Sequence, residues 1–316
     1  MSGTRAPIRI GTRGSVLART QTEWAVSKLR ALNPYIEFQT VIIETTGDRQ
    51  ANVPYAAVGT KGMFVKEIEQ ALIANHIDVG VHSLKDMPGS LPPGLTIPCV
   101  PEREDPYDAF VSLRAKSISE LPTGSRVGTS SARRRAQIVA FRNDLNIVEL
   151  RGNLDTRLRK LADGQYDAII VACAGLNRLG QSSAISARLS KDICLPAVGQ
   201  GALALETRSD DSATNEILAS IHDPDAGDCI AAERALLAAL GGGCSVPIAA
   251  HAEVDSEQLE LCGLVASVDG SVIIRASASG LRSSAEQVGI SAAGMLLAQG
   301  AEVMLKAHRP EAADDI

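Results

Sequence analysis

Two stretches of this chain read alike, and that likeness constrains the fold more than any other feature. The first opens IRIGTRGS (Ile8–Ser15) and the second SRVGTSSARRR (Ser125–Arg135). In each, an apolar run ends in Gly-Thr and passes into a helical pattern. FQTVIIETTGD (Phe38–Asp48) and NIVELRGN (Asn146–Asn153) follow, each an apolar run ending in a polar turn with glycine. Helical patterns over Phe64–Ala74 and Leu154–Ala162 come next, and then IDVGVHSLKD (Ile77–Asp86) matches YDAIIVACAGL (Tyr166–Leu176). Short Val- and Ile-rich runs between helical patterns predict parallel strands joined by crossover helices. The expected fold class is α/β, with two similar doubly wound lobes. Ligands of such sheets bind beyond the carboxyl ends of the strands. The residues there are Thr12, Arg13 and Ser15; Ser83, Lys85 and Asp86; Thr129 to Arg134; and Arg151 and Asn153. Lobes that face each other would pool them in one cleft.

The remaining third reads differently. Ile193–Thr207 is apolar, broken by Pro196 and Gly199, and is expected to cross between the lobes and add a strand. Asp223-Pro224-Asp225 marks a boundary. Asp228–Leu240 has a helical pattern with Asp228 as its predicted N-cap, and Gly241–Gly243 ends it. Three strand-like runs follow, Val246–Val254, Leu259–Ser267 and Ser271–Ser279, the last two joined by the hairpin signal Asp269-Gly270. A closing helix is predicted over Ser284–Leu305. This part reads as a small α+β domain with a three-stranded antiparallel sheet. The predicted division is residues 1–101 plus 202–220 for lobe 1, 102–201 for lobe 2 and 221–316 for the third domain.

The chain has 316 residues, enough for two or three domains. Aromatics are only 3% of it, so Val, Ile, Leu and Ala must fill the core. No apolar run approaches the roughly 20 residues that cross a bilayer. The opening MSGTRAPIRIGTRGS lacks the apolar core of a signal peptide, so a cytoplasmic protein with reduced thiols is expected. None of the six cysteines forms a C-x-x-C pair and the five histidines are scattered, which argues against a metal site. A net charge of −6 argues against nucleic-acid binding.

Three features could carry chemistry. Asp86, in HSLKDMP, follows a strand directly, and Pro88 stops any helix. A carboxylate there can stabilise a cation or move a proton, with Lys85 favouring its charged form. Taken alone, an aspartate before such a break more often caps a turn. Arg13, Arg133, Arg134, Arg151 and Arg157 fall near strand ends or first helical turns. A guanidinium grips a carboxylate bidentately, as lysine cannot. Successive helical residues point about 100° apart, so of Arg133, Arg134 and Arg135 two are expected inside and one in solvent. Cys244 stands in LGGGCSVPI, where three glycines make a flexible arm. No histidine lies near it in sequence, so the spacing gives no support to a Cys–His hydrolase. Thr46–Gly62 has no periodicity and is long for a loop, which predicts a lid, with Lys61 and Phe64 at its end. On these residues alone a two-lobed binding protein for an anionic ligand and a cysteine-dependent transferase with another substrate both remain open.

The segments IRIGTRGS, TTGD, GTKGMFVKEIE, DVGVHSLKDMP, EREDP, GTSSARRR, LRGNLDTRL, ACAGLNRL, LPAVGQGAL and GGGCSVPI, in this order, closely resemble the porphobilinogen deaminase (hydroxymethylbilane synthase) family across nearly the whole chain. The resemblance implies three domains, the first two like a solute-binding-protein pair. It also implies a cytoplasmic monomer that joins four porphobilinogen molecules head to tail, releases ammonia and yields hydroxymethylbilane. The implied cofactor is a dipyrromethane held as a thioether on Cys244. Asp86 matches the family's catalytic aspartate, which stabilises the azafulvene cation left when ammonia departs. Ser83, Lys85, Asp86, Thr129, Ser130, Ser131, Arg133, Arg134 and Arg157 match positions that hold the cofactor. Arg13, Ser15, Arg151, Arg157, Arg178 and Gln200 match positions that bind substrate. Ala132, Tyr107 and Ala57 stand where the family often has Leu, Arg and Lys.

Overall fold

The computed structural model describes residues 6–49, 63–241 and 246–306. Lobe 1 begins with β1 (Ile8–Thr12), α1 (Val16–Leu32), β2 (Phe38–Ile42), a single turn α2 (Thr46–Arg49), α3 (Lys66–Ile73), β3 (Val79–Ser83) and β4 (Leu95–Cys99). Lobe 2 follows with β5 (Asp108–Val111), β6 (Arg126–Gly128), α4 (Ala132–Phe141), β7 (Asn146–Val148), α5 (Leu154–Ala162), β8 (Ala168–Ala172), α6 (Cys173–Arg178) and β9 (Ala187–Arg188). The chain then returns to lobe 1 through β10 (Leu203–Arg208) and α7 (Ser212–Ala219).

The two sheets share one plan. Their orders are β2-β1-β3-β10-β4 and β7-β6-β8-β5-β9. The first three strands of each are parallel, and the fourth and fifth join antiparallel. The repeat in the sequence is thus a repeat of β-α-β-α-β units. Its recurring serine has a local reason: Ser15 and Ser131 both N-cap the helix after the first strand, accepting from Ala18 N and Arg134 N. Helices cover both faces of each sheet. In lobe 1, Val26 and Leu29 of α1 and Leu218 of α7 pack on one face, and Ile68 and Leu72 of α3 on the other. In lobe 2, Ile138 of α4 and Leu161 of α5 do the same. Each such fully buried side chain contributes about 1.5–3 kcal/mol of transfer free energy.

Each lobe is completed by the chain's passage to or from the other. β5 enters lobe 2 straight after the outward crossing, and β10 re-enters lobe 1 straight after the return, the strand expected within Ile193–Thr207. The crossings touch: Glu104 N donates to Gly201 O at 3.2 Å. Gly201 has φ +90°, and a Cβ on it would lie 2.2 Å from Glu104 O, so only glycine fits there.

The third domain comprises α8 (Pro224–Ala239), β11 (Ile248–Asp255), β12 (Gln258–Ala266), β13 (Ile273–Leu281), α9 (Ala285–Ala298) and α10 (Ala301–Lys306). Its sheet is the antiparallel meander β11-β12-β13. Leu236 of α8 and Leu296 of α9 pack on one face, and Ala136 of lobe 2 packs on the other. Two sequence expectations are corrected here. The long helix starts at Pro224, with Asp223 accepting from Ala226 N as N-cap and Pro224 at the first helical position. Asp228, the expected cap, instead accepts from Arg282 Nε at 2.7 Å. The closing helix is two helices, because Gly300 adopts φ +95° after α9.

Glu233 of α8 ties the three parts together. It is fully buried and takes a bidentate pair from Arg103 on the outward crossing, at 2.7 and 3.1 Å. It also accepts from Gly199 N on the return crossing at 2.7 Å and from Ala252 N on β11 at 2.9 Å. Burial alone would raise its pKa; the Arg103 charge and the hydrogen bonds outweigh that and hold it at about 2.

Candidate active site

A cleft of about 740 Å³ opens between the lobes, at the carboxyl ends of the parallel strands. Lobe 1 lines it with Arg13, Ser15, Phe64, Ser83, Lys85 and Asp86, and lobe 2 with Arg134, Arg151, Arg157 and Arg178. These ten positions, separated by up to 165 residues, are brought together because equivalent strands of the two repeats end on facing edges.

β3 delivers the catalytic candidate. It ends at Ser83 and runs into a single 3₁₀ turn, Leu84–Asp86, closed by Met87 N donating to Leu84 O. The buried Leu84 anchors this turn, so Lys85 and Asp86 are left at the cleft. The Asp86 carboxylate accepts no hydrogen bond among the described residues. It is therefore not engaged as a cap, and its charge is free to act on whatever enters. Lys85 is open to water in the cleft, yet the walls enclose it closely; that enclosure and the Arg134 charge push its pKa down to about 8, against the pull of Asp86 and Asp108. Its Nζ lies 3.4 Å from Gln200 Oε1. Ser83 is held by Gln21, whose Nε2 donates to Ser83 Oγ at 3.0 Å.

The arginines sort into two groups. Arg133 and Arg134 are buried and Arg135 is exposed, as helical spacing predicts. Both buried guanidiniums converge on one fully buried carboxylate, Asp108 at the start of β5. Arg133 Nη1 reaches Asp108 Oδ2 at 2.7 Å and Leu195 O at 2.6 Å. Arg134 Nε donates to Asp108 Oδ1 at 2.8 Å, Nη1 to Ile170 O at 3.2 Å and Nη2 to Gln200 Oε1 at 3.3 Å. Burial would raise the Asp108 pKa, but the two arginine charges drive it far below the carboxylate range. Arg134 shows its edge to the cleft, whereas Arg133 does not line it.

Arg13, Arg151, Arg157 and Arg178 are the more accessible group. Arg151 pairs with Glu149, and Arg157 Nε donates to Gly152 O at 2.8 Å. Arg178 Nη2 donates to Gly201 O at 2.7 Å; burial pushes its pKa down to about 10, opposed by Glu104. Their placement suits a ligand carrying several carboxylates.

Five positions matched by the resemblance stand back from the cleft lining: Thr129, Ser130, Ser131, Arg133 and Gln200. Thr129 Oγ1 accepts from Ser131 N at 3.3 Å, and Ser130 Oγ donates to Leu150 O at 2.6 Å. Gln200 Nε2 donates to Pro106 O at 2.7 Å and Asp108 Oδ1 at 3.0 Å. Cys244, Lys61 and Ala57 lie outside the described residues, as does most of the expected lid; its first residues form α2. Tyr107 lies away from the cleft, its ring 3.6 Å from the Arg188 guanidinium and its hydroxyl 3.4 Å from Glu253. Sequence reasoning singled out neither Asp108 nor Asp48. Two adjacent arginines on a helix packed against a sheet were the available signal, since such a pair needs a buried carboxylate.

The family model described as "Porphobilinogen deaminase, dipyromethane cofactor binding domain" matches residues 8–216, and that of the porphobilinogen deaminase C-terminal domain matches residues 228–298. The chain belongs to the porphobilinogen deaminase family. The porphobilinogen deaminase of Syntrophotalea carbinolica is 50% identical over 300 residues, 95% of each chain. That of Bacillus velezensis is 48% identical over 310 residues, 98% of each chain, and that of Syntrophobacter fumaroxidans is 48% identical over 299 residues, 95% of this chain and 97% of the relative. Among solved structures, the methionine-binding protein MetQ aligns with 68% of this chain and 87% of its own at 15% identity and a TM-score of 0.43. Membership in the deaminase family gives the donor set of the cleft a fit test. A dipyrromethane built from porphobilinogen carries acetate and propionate groups, and the cleft supplies six cationic side chains from Arg13, Lys85, Arg134, Arg151, Arg157 and Arg178. The residues present fit that group.

Proposed function

We propose that this chain is a hydroxymethylbilane synthase, a transferase that joins four porphobilinogen molecules head to tail with release of ammonia, on a covalent dipyrromethane primer. The observation that carries the reading is the opposition, in one cleft, of Asp86 on lobe 1 and the arginines of lobe 2. When bound through Cys244, the dipyrromethane supplies the pyrrole carbon to which the first unit is joined.

Asp86 is the catalytic residue of this reading. Departure of ammonia from the aminomethyl group leaves positive charge on the substrate's pyrrole, and a fixed carboxylate lowers the energy of that charge. Support comes from its position on a rigid turn and from its freedom from capping bonds. Arg134, Arg157, Lys85, Ser83 and the Thr129–Ser131 segment hold the cofactor. Of these, Thr129, Ser130 and Ser131 act from behind, by fixing the start of α4; Arg133 and Gln200 act by fixing Arg134 around Asp108. Arg13, Ser15, Arg151 and Arg178 bind incoming carboxylates, and Lys61 and Phe64 belong to the lid. Residues 1–101 with 202–220, 102–201 and 221–316 are the proposed domains, following sheet membership, with α8 and its Asp223 cap opening the last.

The protein is proposed to work as a cytoplasmic monomer without metal or nucleic acid. Among the described residues, no helix is long and apolar enough to cross a membrane, and no cluster of His, Cys, Asp and Glu could hold a metal ion. The purified protein should consume porphobilinogen, release one ammonia per molecule consumed and yield a product that closes, with loss of water, to a uroporphyrinogen, which air then oxidises to the coloured uroporphyrin. Absence of porphobilinogen consumption by folded protein carrying the primer would reject the reading.

A further inference from the structure

Asp48, the last residue of the TTGD segment, faces the cleft beside Arg13, an anion standing where anions are to be bound. Its carboxylate takes the Nε–Nη2 edge of Arg13: Nε donates at 3.2 Å and Nη2 at 2.5 Å to Oδ1. The flat face of the same guanidinium lies over the Phe64 ring, 4.0 Å from its centroid. One edge and one face of Arg13 are thus occupied by protein. Among the described residues Nη1 has no acceptor, so the end of the guanidinium remains for a ligand.

The carboxylate is itself held without help from Arg13. Thr45 Oγ1 donates to Asp48 Oδ2 at 2.7 Å, and Thr45 is fully buried. The α2 turn is locked to Phe64, because Gly47 N donates to Met63 O at 2.9 Å and a Cβ on Gly47 would sit 2.1 Å from the Phe64 ring. Asp48 and Phe64 therefore form a joint seat for Arg13. An arginine side chain loses about 2 kcal/mol of rotamer freedom when it is fixed, and here that loss is met before any ligand arrives. Burial raises the Asp48 pKa, but the bonds from Arg13 and Thr45 lower it overall, so the seat stays charged at neutral pH.

We propose that Asp48 is a positioning residue that fixes which edge of Arg13 meets a substrate carboxylate, so that the pair binds porphobilinogen without entering the chemistry. This rests on Arg13 as a carboxylate-binding residue in the reading above. Because the carboxylate that Arg13 would grip is not a reacting group, loss of this positioning should appear in KM rather than kcat. Asp48→Asn keeps the shape and removes the charge; KM for porphobilinogen should rise about tenfold, equivalent to one well-formed charge-assisted contact, with kcat within about twofold. Thr45→Val, which unties the carboxylate, should raise KM by about threefold in the same direction. In an Arg13→Lys background, which lacks the edge that Asp48 grips, Asp48→Asn should change KM by less than about twofold, as coupled pairs require. An unchanged KM in both single variants, an equal rise in the Arg13→Lys background, or a loss confined to kcat would each overturn the proposal. Wild-type protein that consumes porphobilinogen alongside such a result would leave the function intact and remove only the role of Asp48.

Discussion

Replacing Asp86 by Asn should lower turnover of porphobilinogen by about 10²–10³-fold, the range seen when one fixed electrostatic group is removed from a reacting centre. The fold should survive, because the Asp86 carboxylate accepts no hydrogen bond among the described residues and its turn is anchored by Leu84. The melting temperature and circular dichroism spectrum should match the parent's. Asp86→Asn also removes a charge that raises the Lys85 pKa, so Lys85 should lose its proton at lower pH than in the parent. Asp86→Glu keeps the charge and displaces it, so activity between the two is expected. Turnover within tenfold of the parent for Asp86→Asn would contradict the assigned role.

A second large effect is expected far from solvent. Asp108→Ala leaves Arg133 and Arg134, both about 6% exposed, without the carboxylate they share. Breaking a buried pair in this way costs about 3–5 kcal/mol, since desolvated charge is left uncompensated. Urea unfolding should show that loss, and turnover should fall as well, because Arg134 and Gln200 lose their common anchor. The pH dependence has a definite sign. The folded pKa of Asp108 is depressed, so its stabilisation is complete above the ordinary carboxylate range and is lost only as pH falls through the depressed value. The parent's stability advantage over Asp108→Ala should therefore persist at pH 5 and shrink in stronger acid. Stability within about 1 kcal/mol of the parent at neutral pH would show that the ion cluster is not a structural keystone.

The parts of the fold that were legible are those where backbone chemistry leaves a mark. Gly-Thr at a strand end followed by a serine cap recurs in both lobes because each helix N-terminus needs an acceptor there. α5 falls where its pattern lies, Leu154–Ala162, because Asn153 caps it and its apolar spacing is regular. β5 was not legible: four residues, all buried, carry no alternation. β4 escaped notice because Pro98 argues against a strand, and it is tolerated only because β4 is an edge.

The site was legible in its residue types more than in its bonds. Of the positions after strand ends, Arg13, Ser15, Ser83, Lys85, Asp86, Arg134, Arg151 and Asn153 line the cleft while Thr12 and Thr129–Ser131 stand behind it, and helical spacing separated Arg135 from its neighbours. Spacing could not tell Arg134, which shows an edge to the cleft, from Arg133, which is spent on Asp108 and Leu195. Nor could it find the carboxylates that orient the arginines, since Asp48 lies 35 positions from Arg13 and Asp108 lies 25 from Arg133. Such partners are fixed by tertiary approach alone.

The central claim is a covalent primer in an arginine-lined cleft, and intact-mass spectrometry of the purified protein tests it most directly. The parent should exceed the mass of its sequence by one dipyrromethane, and Cys244→Ser should lose that increment. A parent mass equal to the bare sequence after exposure to porphobilinogen, or an increment that survives in Cys244→Ser, would contradict the account.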